Sequence, residues 1–118
     1  MRTEDLAFKP IQWAQVASAV NATVTATQTG VTGKQHAICG ISVSASSQPA
    51  SAVQVQILNG ATVLDQWEVP AAAFTPILHN YARPFLCTAG NDAIVTVSAM
   101  GAGVRCTAVL KGFSGMAG

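Results

Sequence analysis

From Val16 onward, apolar and small polar residues alternate along most of the chain, and that period of two predicts β-strands with one buried face. Val16, Val20, Ala22, Val24 and Ala26 share one parity, while Asn21, Thr23, Thr25 and Thr27 share the other. Gly30 and Gly33 break this run, so Thr29 to Lys34 reads as a loop. In the next strand, Gln35 to Ser46, Ala37, Cys39, Ile41, Val43 and Ala45 point one way. His36, Gly40, Ser42 and Ser44 point the other way, and Ile38 is an apolar exception on that polar face. Ser46 to Ser51, containing Pro49, is a turn.

Asn59-Gly60 between Val53–Leu58 and Thr62–Val69 is the strongest hairpin signal in the chain. A two-residue loop opposes Ile57 with Thr62 and Val55 with Leu64. A three-residue loop opposes Ile57 with Val63 and Val53 with Trp67, and is preferred because it gathers more apolar bulk on one face. Pro70 to Asn80 reads as a long connection, with room for one helical turn where three alanines precede Phe74. Arg83 to Thr88 is a short strand, and Pro84 favours an edge position for it. Ala89 to Asp92 is a turn. In the last predicted hairpin, Ala93, Val95, Val97 and Ala99 face Leu110, Ala108, Cys106 and Val104 across the Met100–Gly103 loop.

These elements predict an all-β fold: an antiparallel β-sandwich of jelly-roll type with seven or eight strands. The expected organisation is an N-terminal arm over 1–14, a sandwich over 15–113 and a soft tail over 114–118. The arm has mixed charge, then Phe8, Ile11 and Trp13, without a clean strand or helix period.

Charge changes the picture of the outward faces. Only eleven of 118 residues are Lys, Arg, Asp or Glu. A solitary soluble domain keeps its surface charged and free of large apolar patches. Such a chain is expected to work against other protein subunits. The formal net charge is +1 and the six cations are scattered, which argues against binding a nucleic-acid backbone. No apolar run approaches the ~20 residues of a membrane helix, and the first ten residues lack the apolar core of a signal peptide. A cytoplasmic origin is therefore expected. Cys39, Cys87 and Cys106 are an odd set with no export signal, and read as small buried hydrophobes rather than a disulfide framework.

Candidate chemistry is sparse. Asp65 and Glu68, three apart on a strand, face opposite sides, so they do not form the carboxylate pair of a glycosidase. His36 and Cys39 have the same disposition, and no set of three or four ligands has metal spacing. A Cys87–His79 nucleophile pair is outweighed by a buried thiol and a loop imidazole. Gly101-Ala102-Gly103 joins two strands and opens no helix, so it is a hairpin loop and not a phosphate cradle. Asn21-Ala22-Thr23 matches the glycosylation triplet on a Thr-rich strand, without an export signal to make it meaningful. Trp67 and Tyr81, with Asp65, Gln66, Glu68 and Asn80 near in sequence, have the composition of a sugar-binding surface. A core role for Trp67 is the simpler reading. No enzyme and no cofactor is expected.

Four segments carry a family resemblance: His36 to Ser46, Ile57-Leu58-Asn59-Gly60, Pro84 to Ala93, and Ser98 to Val104. From His36 to Ser114, about two-thirds of the chain, the sequence resembles small virion proteins of tailed bacteriophages, of the head-decoration or cement type. Related jelly-roll modules also occur in tail and fibre proteins. The resemblance implies a homo-oligomer, a trimer above all, seated on the major capsid protein at the capsid exterior after synthesis in the bacterial host cytoplasm. It supplies no motif for the capsid contact. From the residues alone, Phe8, Ile11 and Trp13 are the expected intersubunit anchors, since aromatic anchors in pockets dominate such contacts. The alternative is a tail, fibre or lectin-like module that binds glycan.

Overall fold

Eight strands account for most of residues 11–116, the part of the chain that the computed structural model describes. They are β1 (Ile11–Val20), β2 (Val24–Gln28), β3 (Lys34–Ala45), β4 (Val53–Asn59), β5 (Thr62–Val69), β6 (Ile77–Leu86), β7 (Ala93–Val97) and β8 (Arg105–Met116). Two four-stranded antiparallel sheets pack face to face, ordered β1-β8-β3-β6 and β2-β7-β4-β5. The pairs β1–β8, β2–β7, β3–β6 and β4–β5 are those of one long hairpin wrapped into a barrel-like sandwich, which is the jelly roll.

The core lies between the sheets. The first sheet contributes Ile38, Ile41, Val43, Cys106, Ala108 and Leu110; the second contributes Val24, Ala26, Val53, Val55, Ile57, Ala93, Val95 and Val97. Phe74 and Met100 are buried with them. Small and β-branched side chains dominate, as befits two pleated surfaces in close contact.

Several local expectations change in the structure. The alternating run from Val16 to Thr27 is two strands in different sheets. Asn21, with φ of 48°, redirects the chain between them, and Asn is among the few residues that tolerate this left-handed region. Val16 and Val20 therefore point away from the core, while Val24 and Ala26 lie in it. Ile11 to Ala14, assigned to the arm, begin β1, and Ser114 to Met116, assigned to the tail, end β8.

The terminal hairpin is also rearranged. β7 and β8 belong to opposite sheets, so their apolar faces meet across the core instead of pairing edge to edge. The loop between them is an arch, held by Val104 N–H to the Gly101 carbonyl at 3.1 Å and plugged by the buried Met100.

Ile38 ceases to be an exception. The register of β3 shifts between Ile38 and Gly40 against both neighbours, so Cys39 sits in a bulge. Even-numbered positions point inward before the bulge and odd-numbered ones after it. In the β4–β5 hairpin, Val55 opposes Trp67 and Val53 opposes Val69, which is neither expected register. The turn falls at Gly60–Ala61, with Asn59 opposing Thr62, and a shift between Ile57 and Leu58 then inserts one more residue. β6 starts at Ile77 inside the expected long connection, and the chain before it forms no helical turn. β6 is an edge strand, as Pro84 requires.

Candidate functional site

Of the three expected anchors, Phe8 lies outside the described residues. Trp13 belongs to β1 and is half-buried against its own core. It stands opposite Gly112 in the register, and its ring covers that glycine. A Cβ at Gly112 would lie 2.5 Å from the ring's Cζ2, so glycine is what makes room for the indole. Ile11, at the start of β1, is 59% exposed and remains open to a neighbour.

The indole leads to a buried polar pair, His36 and Ser114. Trp13 Nε1 donates to Ser114 Oγ at 2.8 Å. Ser114 Oγ also bonds His36 Nδ1, and His36 Nε2 bonds the Thr29 carbonyl at 2.8 Å. A carbonyl only accepts, so Nε2 carries a hydrogen, and with the imidazole neutral Nδ1 accepts from the Ser114 hydroxyl. Every side-chain polar atom of Trp13, Ser114 and His36 is thereby used. His36 and Ser114 are buried, at 2% and 7% exposure, with Trp13 edge-on to the imidazole at 5.7 Å. A serine beside a histidine suggests a nucleophile. Here the hydroxyl is enclosed and already engaged twice, so the pair serves as a structural tie between β1, β3, β8 and the β2–β3 loop.

A second feature is a row of rings where the edge strands β5 and β6 flank the open side of the sandwich. Trp67 lies 5.3 Å from His79, His79 lies 6.0 Å from Tyr81, and Tyr81 lies 4.8 Å from Phe85. Trp67 and Tyr81, paired on composition alone in the sequence, are thus joined through His79, which the sequence had placed in a loop. Trp67, Tyr81 and Phe85 rest their inner surfaces on the core, and His79 is exposed. Burial, and then the negative charge of Asp65, push the Tyr81 phenol up to about 12, so it stays a neutral hydrogen-bonding group. Glu68 opposes Gln54 on the other face of the sheet, as the spacing required.

The third feature is the outer face of the β1-β8-β3-β6 sheet. Outward positions include Val16 and Val20 on β1 and Leu78 and Leu86 on β6, which are 65%, 44%, 65% and 61% exposed. Val109 and Phe113 on β8 lie half-buried between them. On the outward positions of β1, β3 and β8, only Arg105 and Lys111 are charged. A groove of about 450 Å³ crosses this face, lined by Gln12, Trp13, Ala14, Cys39, Lys111 and Gly112.

The three thiols are free and differ in access. Cys87 and Cys106 are buried, and desolvation raises both, Cys106 to about 11. Cys39 is half-exposed in the bulge, unlike the buried role expected for it. The folded protein is therefore expected to take up one equivalent of a thiol reagent at neutral pH, at Cys39, and three in denaturant. Mass spectrometry of the labelled chain checks this, and fast native labelling at Cys87 or Cys106 would contradict the burial.

One end of the sandwich is sealed by polar contacts among three loops. Asn59 Oδ1 accepts from Thr88 N–H and from Asn91 Nδ2, both at 3.0 Å, and Asn59 Nδ2 donates to Thr88 Oγ1 at 3.0 Å. Asp92 Oδ1 accepts from Gly30 N–H at 2.6 Å. These loops contain two of the segments that carried the sequence resemblance, and their side chains are spent on each other. Among the described residues no group of three metal-ligating side chains occurs, and no helix is long and apolar enough to cross a membrane.

No family model matches the chain, and no curated protein matches it in sequence. Among solved structures, it is similar to the insecticidal delta-endotoxin Cry8Ea1 from Bacillus thuringiensis (11% identity, TM-score 0.42), covering 89% of this chain but only 19% of the toxin. It is similar to the CBM36-1 domain of a multidomain xylanase from the hindgut metagenome of Trinervitermes trinervoides (16%, TM-score 0.40), covering 87% of this chain and 77% of that one. A carbohydrate-binding module CBM36 in complex with calcium and xylotriose is similar at 11% identity and TM-score 0.34, over 93% of each chain. At these values nothing about function passes to this chain.

Proposed function

We propose that this chain is a structural protein of a bacteriophage virion, a capsid-decoration protein that associates with itself and binds the lattice of the major capsid protein. The observation that carries this is the outer face of the β1-β8-β3-β6 sheet. An antiparallel sheet with one face in water keeps that face polar. Here Val16, Val20, Leu78 and Leu86 stand exposed on it with two cations between β1 and β3. An exposed apolar face of this kind marks a surface that meets a partner. Interfaces are depleted of charge at their centres in the same way. The mechanism is mass action: a protein that binds only the assembled shell stabilises it, by about 2.7 kcal/mol per site at a hundredfold excess over its dissociation constant.

The test is co-sedimentation with shells of the major capsid protein, alongside unassembled capsid protein. Binding to shells alone is expected. A Leu78→Asp/Leu86→Asp variant, altered at two exposed positions, is expected to fold normally and lose at least tenfold in shell affinity. Failure of the parent chain to bind any shell would overturn the capsid role.

The aromatic row favours a second reading, a glycan-binding module of a tail or fibre. Sugar rings stack on aromatic faces beside polar groups, and Trp67, His79 and Tyr81 with Asp65 supply both. A glycan array decides it: binding lost in Trp67→Ala supports this reading, and an array without hits removes it.

A further inference from the structure

A sheet edge is a row of unpaired backbone donors and acceptors, and proteins protect such edges with brevity, charge, proline or bulges. The two sheets have four edge strands among the described residues: β1 and β6 in one, β2 and β5 in the other. Three are protected. β2 has only five residues. β5 is bulged near its start and carries Asp65 and Glu68. β6 carries Arg83 and Pro84 where its register against β3 breaks.

β1 has none of these devices. Its ten residues, Ile11 to Val20, pair with β8 in unbroken register. The segment contains no charge, no proline and no glycine. Among the described residues no strand is hydrogen-bonded by its backbone to the other side of β1; β2 of the facing sheet runs nearest, tied to it by Gln15 Nε2 donating to Gln28 Oε1 at 2.9 Å. Backbone groups in a row accept one kind of occupant, another extended strand.

We propose that β1 pairs antiparallel with β1 of a second copy about a two-fold axis, joining the two β1-β8-β3-β6 sheets into one of eight strands. The proposal rests on the self-association proposed above and specifies its contact. A two-fold contact needs a self-complementary surface, and β1 supplies it. Pleating restricts the register, because outward residues must oppose outward residues. With the axis at Val16, Val16 meets its own copy, Ala14 meets Ser18 and Gln12 meets Val20 on the outer face. Gln15 then meets Ala17, and Trp13 meets Ala19, on the inner face. No pair is charged, and the axis falls on the most exposed apolar residue of the strand, Val16 at 65%. Pairing would also make the uncharged outer faces of two copies continuous.

Light scattering on the full chain is expected to give twice the 12.1 kDa chain mass. Val16→Lys places two like charges opposite each other at the axis and is expected to weaken the dimer at least tenfold. Its circular dichroism and thermal midpoint should match the parent's monomer, since the position is exposed. In a Cys39→Ser background, the thiol introduced by Val16→Cys should cross-link two chains with a short bifunctional reagent, and that introduced by Leu78→Cys should not. A dimer sensitive at Val16 and cross-linked there supports the pairing. A trimer, or an oligomer indifferent to Val16→Lys, overturns the edge contact and leaves self-association standing. A monomer at high concentration overturns both.

Discussion

His36→Ala is expected to cost about 3–5 kcal/mol of folding stability. Two penalties combine. The imidazole is enclosed, so its removal leaves a cavity that the surrounding strands only partly fill. The buried Ser114 hydroxyl also loses a partner without gaining water, and the Thr29 carbonyl loses its bond to Nε2. Ser114→Ala removes two hydrogen bonds but little volume, and is expected to cost about 1–2 kcal/mol. Small domains have a total stability of about 5–15 kcal/mol, so His36→Ala leaves a marginal protein. At about 4 °C per kcal/mol its thermal midpoint falls by roughly 12–20 °C. Urea denaturation of both variants and of the double variant checks the argument. Because the residues share one network, the double variant should lose less than the two losses added together. Equal, small losses would mean that the cluster is hydrated and ties nothing.

The second large effect is steric. Gly30→Ala is expected to cost about 3 kcal/mol or more, at the upper end of overpacking. An added Cβ would lie 2.1 Å from the Gly90 carbonyl oxygen, 2.7 Å from its carbon and 2.9 Å from the Asn91 carbon. All three are backbone atoms of the β6–β7 loop, and that loop is held in place. Gly90 N–H bonds the Lys34 carbonyl at 2.9 Å, the Asp92 carbonyl accepts from Gly60 N–H at 2.8 Å, and the Asp92 side chain binds Gly30 itself. The neighbour has little room to give way. Gly33→Ala is the control: three residues on, at φ of 78° with nothing within 4 Å of its added Cβ, it meets only the left-handed backbone penalty, about 1–2 kcal/mol. Denaturation midpoints should rank Gly30→Ala well below Gly33→Ala. The reverse order would show that the loops move apart freely.

The same two clusters show where sequence reading reached its limit. His36 was legible as a lone histidine on the polar face of a strand. Its partners lie 78 residues away at Ser114 and in the loop at Thr29, and neither spacing leaves a trace in a local pattern. Its inward orientation depends on the bulge at Cys39, which reverses the parity of β3 in mid-strand. Trp67 and Tyr81 were legible as aromatics with polar neighbours. That His79 lies between them followed from β6 starting six residues earlier than Arg83 suggested.

What the chain's own pattern determined was that most of it is strand with one face buried, and hence the fold class; the faces of β1 and of the first half of β3 it did not determine. A period of two with scarce charge leaves few outcomes besides a sandwich of antiparallel sheets. It also marked the β4–β5 hairpin, whose turn falls one residue later at Gly60–Ala61, and β6 as an edge, since glycine and proline act through local backbone geometry. The tertiary structure decided which strands are neighbours. An arch between sheets and a hairpin within one bury the same residues, so β7 and β8 satisfied the alternation either way. It likewise decided that Val16 and Val20 face outward, because a single backbone angle at Asn21 sends the next strand to the other sheet. Hydrophobic burial is non-directional and encoded residue by residue, whereas strand partnership is a contact between distant segments that only the folded chain brings together.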